Sequence, residues 1–347
     1  MSEDPVGHRG ARTDGTTVPS PVVDTLGAAQ RVLLLAHLYP DGDVLGSQLG
    51  LGLALRAGGR AVTFACHHAV PEAFHFLPGA TEVQQWKEGT GGYDLVVTLD
   101  TPDPGRVGGL LDGCRTPGTR VLNLDHHADN RRYGDVNWIE PRAAATGEMV
   151  YAILGAAGFP LTRDVAVNLF TAIVTDSGSF RYSNTTPNTL RVAAQLVEAG
   201  ADPAAIAQAL YETRHLAGLQ LLGRLLQEVQ TNAAGTVAWM VIDHAHAQSP
   251  DLLEAEDFIT YPRSLKTVKV AVLFRELPGG GAAPGRPSPG PHVKVSLRAK
   301  GEVDVARIAA SLGGGGHPNA AGAVVPGSLD EVRRRVLDAV EAAVAAR

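Results

Sequence analysis

Cysteine is scarce: Cys66 and Cys114 are the only two in 347 residues. They form neither a close-spaced zinc pair nor a disulfide framework, so reduced thiols are expected. Aromatic residues make up only 5% of the chain, which argues against extended base stacking along a long channel. Positive charge is not in excess either. Thirty Lys and Arg against 36 Asp and Glu leave a formal charge of -6, which argues against a protein that coats long nucleic acid non-specifically. Small phosphorylated ligands stay open, because acidic residues that hold cations enter the same count. No apolar run approaches the ~20 residues needed to span a bilayer. Met1 to Ser20 is polar, rich in Gly, Pro and Thr, and lacks the apolar stretch of a secretory signal. It reads as a disordered tail, and a cytoplasmic protein is expected. There is no internal repeat.

What is present is enough for two domains with sizeable cores, with 44% hydrophobic residues and 40 glycines. Arg31 to Ala36, Val62 to Cys66, Asp94 to Leu99 and Arg120 to Leu124 are short apolar runs that read as buried strands. A helical stretch, roughly Gly46 to Ala57, falls between the first two. This alternation predicts an α/β domain with a mainly parallel sheet. Helical spacing then dominates over 146–157, 162–174, 186–199, 203–210 and 215–230, the last able to connect two domains. Strands are expected over 237–243, 268–275 and 292–299, and helices over 304–312 and 329–346. They describe a second, smaller mixed α/β domain. Between its strands, 278–291 is dense in Gly and Pro and reads as a mobile loop.

The carboxylates fall in a pattern. The first strand leads into His37-Leu-Tyr-Pro-Asp41-Gly-Asp43, the third into Asp100, and the fourth into Asp125-His126-His127. Open α/β sheets place ligand sites at these carboxyl ends. A further carboxylate, Asp176, ends an apolar helix. Any one Asp after a strand is most often a helix cap or turn former, and paired histidines such as His67-His68 are commonly surface residues. The combination points further. Two aspartates one residue apart cannot both cap one helix, and their repulsion needs a counter-charge. Mixed imidazole and carboxylate ligands suit a divalent ion such as Mn²⁺ better than Ca²⁺. The candidates over-supply one ion; two ions about 3.5–4 Å apart, bridged by a carboxylate, would use them and could acidify a water between them.

These residues resemble the DHH phosphoesterase superfamily. The resemblance is carried by His37 to Ser47, isolated Asp100, the signature Asp125-His126-His127, Thr175-Asp176-Ser-Gly-Ser-Phe180, and Gly313-Gly-Gly-Gly316-His317-Pro-Asn319-Ala-Ala-Gly322. The last is similar to the glycine-rich motif of the DHH-associated domain. Asp135 to Pro141, Ala145-Thr-Gly-Glu148 and Tyr182-Ser-Asn-Thr-Thr186 resemble the oligoribonuclease and pAp phosphatase branch, the nano-RNases. The resemblance implies His37 and Asp41 on one metal, Asp43, His126 and Asp176 on the other, and Asp100 bridging. It implies that Asp125 fixes an imidazole and that His127 donates to a phosphoryl oxygen, the two together forming the catalytic pair. It also implies two divalent ions, Mn²⁺ first, with Mg²⁺ or Co²⁺ as substitutes.

On the substrate side the resemblance assigns Arg298, Gly315, Gly316, His317 and Asn319. Glycines let backbone N–H groups approach an anion, and a planar guanidinium suits a phosphate. Between Arg263 and Lys300 lie eight Lys or Arg and one acid, Glu276; Lys266, Lys269 and Lys294 are left as strand contacts. The expected organisation is a tail over 1–20, a catalytic domain over 21–213, a connecting helix over 214–230 and a substrate-binding domain over 231–347, with the active site in the cleft between domains. Expected substrates are short RNA, short DNA and 3′-phosphoadenosine 5′-phosphate (pAp), with no membrane partner. Relatives commonly dimerise, and a homodimer is left open. The competing readings are a linear or cyclic dinucleotide phosphodiesterase, an inorganic pyrophosphatase, and a non-catalytic metal-dependent nucleotide-binding protein.

Overall fold

Runs such as Leu33 to Leu35 and Leu95 to Leu99 carry no charge because both faces of their sheet are covered. Side chains alternate across a strand. Accordingly Val32 and Leu34 enter one core with the helices, while Leu33, Leu35, Val96 and Val121 enter a second core with Val107, Leu110 and Leu111. The computed structural model describes residues 17–244, 246, 257–277 and 290–346. They divide into two compact units between Glu212 and Thr213.

The first unit runs α1 (Ser20–Ala28), β1 (Arg31–Leu35), α2 (Gly42–Ala57), β2 (Ala61–Cys66), β3 (Gln84–Gln85), β4 (Leu95–Leu99), α3 (Leu110–Cys114), β5 (Arg120–Asp125) and β6 (Val136–Ile139). Then follow α4 (Thr146–Ala157), α5 (Arg163–Asp176), α6 (Pro187–Glu198) and α7 (Pro203–Tyr211). All neighbouring strands pair in parallel, in the order β3-β2-β1-β4-β5-β6. The order reverses between β1 and β4, and such a switch point opens a crevice at the strands' carboxyl ends. The mainly parallel α/β expectation therefore holds.

Several boundaries differ from the sequence reading. Ser20, placed in the tail, opens α1, and the rest of that expected tail lies outside the described residues up to position 16. Helix α2 begins at Gly42 rather than near Gly46, because the Asp41 side chain caps it by accepting from the Val44 N–H at 3.1 Å. Strand β6 went unread: four residues interrupted by Asn137 give no apolar run.

Helices α2 and α5 approach through glycine. A Cβ on Gly42 would lie 2.5 Å from the Thr175 side chain, one on Gly46 2.3 Å from the Asn168 carbonyl, and one on Gly50 2.6 Å from Leu169. This close contact sets the start of α2 beside the end of α5.

The second unit contains α8 (Leu216–Gln227), β7 (Gln230–Thr231), β8 (Val237–Ile242), α9 (Thr260–Ser264), β9 (Val270–Leu277), β10 (His292–Ala299), α10 (Val305–Ser311), β11 (Gly315–His317), β12 (Ala320–Pro326) and α11 (Leu329–Ala345). Its mixed sheet has the order β11-β12-β10-β9-β8-β7, with only β8 and β9 parallel. Leu221, Leu222 and Leu225 of α8 pack with Met240 and Leu273 on one face. Val332, Val336 and Val340 of α11 pack with Val295 and Val325 on the other. The glycine-rich segment is partly strand, since Gly315 to His317 pair with Ala320 to Gly322. Most of the Gly/Pro-rich loop over 278–291 lies outside the described residues. No described helix is long and apolar enough to cross a membrane.

Candidate metal centre

The carboxyl ends of β1, β4 and β5 deliver His37, Asp100 and Asp125 to His127, and α2 and α5 add Asp41, Asp43 and Asp176. Two trios form. In the first, His37 Nε2 lies 3.6 Å from Asp41 Oδ2 and 3.4 Å from Asp100 Oδ2. In the second, His126 Nε2 lies 3.5 Å from Asp43 Oδ2 and 3.5 Å from Asp176 Oδ2. Asp100 reaches both, because its other oxygen, Oδ1, is 3.4 Å from His126 Nε2. Asp100 itself sits at φ 51, a left-handed conformation that Asp tolerates better than most residues.

The two aspartates flanking Gly42 have different anchors. Asp41 caps α2 with Oδ1 and turns Oδ2 to His37. Asp43, in the first turn of the same helix, accepts instead from the N-terminus of α4. Its partners are the Thr146 N–H at 2.7 Å, the Gly147 N–H at 3.0 Å and the Ser47 hydroxyl at 3.0 Å. Thr146 also donates its hydroxyl to Asp100 Oδ1 at 3.3 Å.

Backbone carbonyls orient the imidazoles. His37 Nδ1 donates to the Leu38 carbonyl at 2.8 Å, and His126 Nδ1 donates to the Ala143 carbonyl at 3.0 Å. A carbonyl only accepts, so both rings turn Nε2 toward the carboxylates. His127 differs: its Nδ1 donates to Asp125 Oδ1 at 2.8 Å. Asp125 is fully buried, and Asn130 donates to its other oxygen.

The electrostatics show what the cluster needs. Burial and Arg106 work against a charged His37, yet Asp41 and Asp100 hold its pKa up to about 9. Burial also opposes charge on His126, but Asp100 and Asp176 raise its pKa well above the usual value. Burial, reinforced by Asp100, pushes Asp43 well above the carboxylate range. Burial likewise carries Asp176 to about 6, against the pull of His126. Asp100 goes the other way: burial opposes its charge, but the imidazoles of His126 and His37 beside it bring it well below the usual range. Buried carboxylates at this density need positive charge, and protons supply it where no cation is bound. His37 Nε2 is a buried ring nitrogen that, among the described residues, faces Asp41 and Asp100 without making a hydrogen bond. The ligand atoms of each trio lie within 4.8 Å of one another. Imidazole and carboxylate donors in this geometry fit divalent cations.

In the second unit, the register puts His317, Ala320 and Arg298 in one row across β11, β12 and β10. Residues directly opposite share a face, so the imidazole and guanidinium flank a small alanine. Gly316 has φ 139, and a Cβ there would lie 2.5 Å from the Ala320 carbonyl. Gly315 pairs with Gly322, and Asn319 sits in the tight turn, accepting from the Ala299 N–H at 2.9 Å.

Some supporting residues escaped the sequence reading. Asn130 and Thr146 hold site residues without being ligands, and Arg106 places positive charge near His37. Buried Glu148 accepts from the Ala144 N–H and the Thr189 hydroxyl, fixing the loop that presents Thr146. Of these, Thr146 and Glu148 had a signal, both lying within Ala145-Thr-Gly-Glu148. His67 and His68 are half-buried, and the ring of His68 stacks on Tyr39.

Residues 31–173 match the DHH family N-terminal domain, and residues 251–346 match the DHHA1 domain. The chain is similar to the bifunctional oligoribonuclease and PAP phosphatase NrnA of Thermus thermophilus, with 34% identity over 322 residues, 92% of each chain. It is 28% identical to the protein of the same name from Bacillus subtilis, over 91% of this chain and 96% of that one. Among solved structures, an exopolyphosphatase-related protein from Bacteroides fragilis superposes with a TM-score of 0.80 at 22% identity, covering 93% of this chain and 95% of that chain. At that identity the likeness shows the fold.

Proposed function

This chain belongs to the DHH family, and from that premise we propose a two-metal phosphoesterase that hydrolyses short oligoribonucleotides to mononucleotides. The same site would remove the 3′-phosphate of pAp, and short DNA is a further proposed substrate. The observation that supports this reading most is the pair of trios sharing Asp100. Relatives named as oligoribonuclease and PAP phosphatase, aligned over nine-tenths of the chain, favour it over a dinucleotide phosphodiesterase or a non-catalytic binding protein.

His37 and Asp41 would hold one ion and Asp43, His126 and Asp176 the other, with Asp100 between them. Mn²⁺ is the proposed ion, with Mg²⁺ or Co²⁺ as substitutes. When bound, the ions supply positive charge to the phosphoryl oxygens and acidify a water. The chain's own residues do the rest. Thr146, Gly147 and Ser47 fix Asp43 so that it need not reorganise during reaction. Asp125 holds His127 by Nδ1, which sets the ring orientation from which His127 would donate to a phosphoryl oxygen. Arg298 and His317, flanking Ala320, would take a terminal phosphate and nucleotide, with Gly315, Gly316 and Asn319 shaping the turn. Catalytic and substrate-binding domains over 21–213 and 231–347 complete the proposal. The protein would act in the cytoplasm, and a homodimer is the assembly to test by light scattering.

The test is Mn²⁺-dependent hydrolysis of end-labelled RNA from two to 24 nucleotides, with pAp in parallel. Rates falling steeply with length, together with phosphate release from pAp, are expected. Rates that hold or rise with length would replace this reading with a processive exonuclease.

A further inference from the structure

Tyr39 lies in the middle of His37-Leu-Tyr-Pro-Asp41, yet it is neither a ligand nor part of the core. It is 62% exposed, and its hydroxyl makes no hydrogen bond among the described residues. Its backbone has φ 53, a left-handed conformation with a steric cost for a bulky side chain. Two neighbouring contacts hold the turn. The Tyr39 N–H donates to His68 Nδ1 at 3.2 Å, and the Leu38 N–H donates to the Arg106 carbonyl at 2.6 Å. The result is an aromatic ring carried outward rather than folded into the core.

The ring is backed on one side. Tyr39 and His68 stack with centroids 4.0 Å apart and planes 18° from parallel, and His67 meets His68 edge-on at 5.1 Å. Because His68 Nδ1 accepts the Tyr39 N–H, the imidazole is neutral and stacks without a charge to desolvate. Burial, with His67 and Lys87 nearby, lowers its pKa in the same sense. Strands β1 and β2 are neighbours in parallel register, so the segments that follow them lie side by side at the carboxyl edge of the sheet. Only two peptide units separate Tyr39 from His37 and from Asp41, which keeps its Cα within about 7.6 Å of each of theirs.

We propose that the Tyr39–His68 pair is a stacking platform for a nucleobase of the substrate whose phosphate reaches the His37–Asp41–Asp100 trio. The proposal rests on the phosphoesterase reading above and adds a base-recognition element to the first unit. A flat ring, backed by a second ring and exposed beside a phosphate-directed site, suits a base of any identity, because every base has a π-face. The scarcity of aromatics along the chain fits one such platform and a short substrate rather than a stacking track.

The experiment compares wild type with Tyr39→Gly and Tyr39→Phe. Glycine accommodates the left-handed backbone while removing the ring, so loss of the turn and loss of the platform are separated. Substrates are a dinucleotide with both bases and two analogues, each abasic at one position. In Tyr39→Gly the preference for the base-bearing dinucleotide over one of the analogues is expected to fall by roughly 5- to 150-fold, the range of base–aromatic stacking. The loss should fall mainly in KM. Tyr39→Phe should retain the preference. A 2-aminopurine dinucleotide added to the metal-free protein should be quenched by wild type and Tyr39→Phe but not by Tyr39→Gly. Unchanged preference for both analogues and unchanged quenching in Tyr39→Gly would overturn the platform. Metal-loaded wild type that cleaves none of the dinucleotides would instead overturn the phosphoesterase reading, while the quenching still reports on Tyr39.

Discussion

Asp100 and Asp125 are both buried carboxylates beside histidines, and their surroundings separate their roles. Asp100 gives one oxygen to each trio, whereas Asp125 spends its oxygens on His127 and Asn130. Asp125 orients the His127 imidazole as partners behind metal ligands orient theirs, and losing such a partner costs about 10–100-fold in activity. Asp125→Asn should therefore lower kcat by roughly that factor with metal content unchanged. Asp100→Ala should lose bound metal and nearly all turnover; a folded, metal-replete Asp100→Ala with near-wild-type activity would remove Asp100 from the bridge. The histidines make a separate prediction. With pKa raised to about 9, His37 adds stability that is fully present below its unfolded value near 6.5 and lost as pH rises through 9. His126, also raised, acts in the same direction. Melting temperature of the metal-free protein should thus fall between pH 6.5 and 9. Ligation requires those protons to leave, so metal affinity should rise over the same window. A flat melting curve in chelator would contradict the charge balance described here.

At the scale of elements, the site depends on how closely α2 meets α5. Gly42, Gly46 and Gly50 recur every fourth residue, and each would clash with α5 if it carried a Cβ. Ordinarily Ala in a helix interior is favoured over Gly by about 1 kcal/mol. At Gly46 the added methyl meets the Asn168 carbonyl and must push the helices apart, and such overpacking costs about 1–3 kcal/mol. Gly46→Ala should therefore be neutral to destabilising in chemical denaturation, against its propensity, and should weaken metal binding by moving Asp43 from Asp176. A stabilised Gly46→Ala with unchanged metal affinity would mean the close approach is incidental. The glycines were visible in the sequence, but their partners were not. Apolar runs at β1, β4 and β5 were legible because strands buried on both faces leave a continuous pattern. The residues that follow them were legible because ligand-type side chains stood where such sheets place sites. Strand β6 and hairpin β11–β12 were not, since their residues are short, polar or glycine-rich, and only pairing makes them strands. Asn130 was equally hidden, and although Thr146 stood in the Ala145-Thr-Gly-Glu148 motif its bond to Asp43, 103 residues away, left no local spacing.

For the whole molecule, the decisive quantity is how much of the nucleic acid it grips. A net charge of -6 is partly the cost of assembling Asp41, Asp43, Asp100, Asp125 and Asp176, and bound divalent ions would offset much of it. The proposed reading calls for no basic track. The second unit offers Arg298 and His317 in one row, enough for a terminal phosphate group. Single-stranded substrates release counterions in proportion to phosphates contacted, with a slope of about -0.7 per phosphate in log affinity against log salt. Two or three contacted phosphates predict a slope of roughly -1.4 to -2.1. On the proposed reading the slope should be the same for a trinucleotide and for a 24-mer, because only the terminal phosphates are held. Measuring KM over a range of monovalent salt for both lengths checks this directly. A slope that steepens with length would show a cationic path beyond the terminal nucleotides, and would give the basic stretch from Arg263 to Lys300 a part in holding long strands.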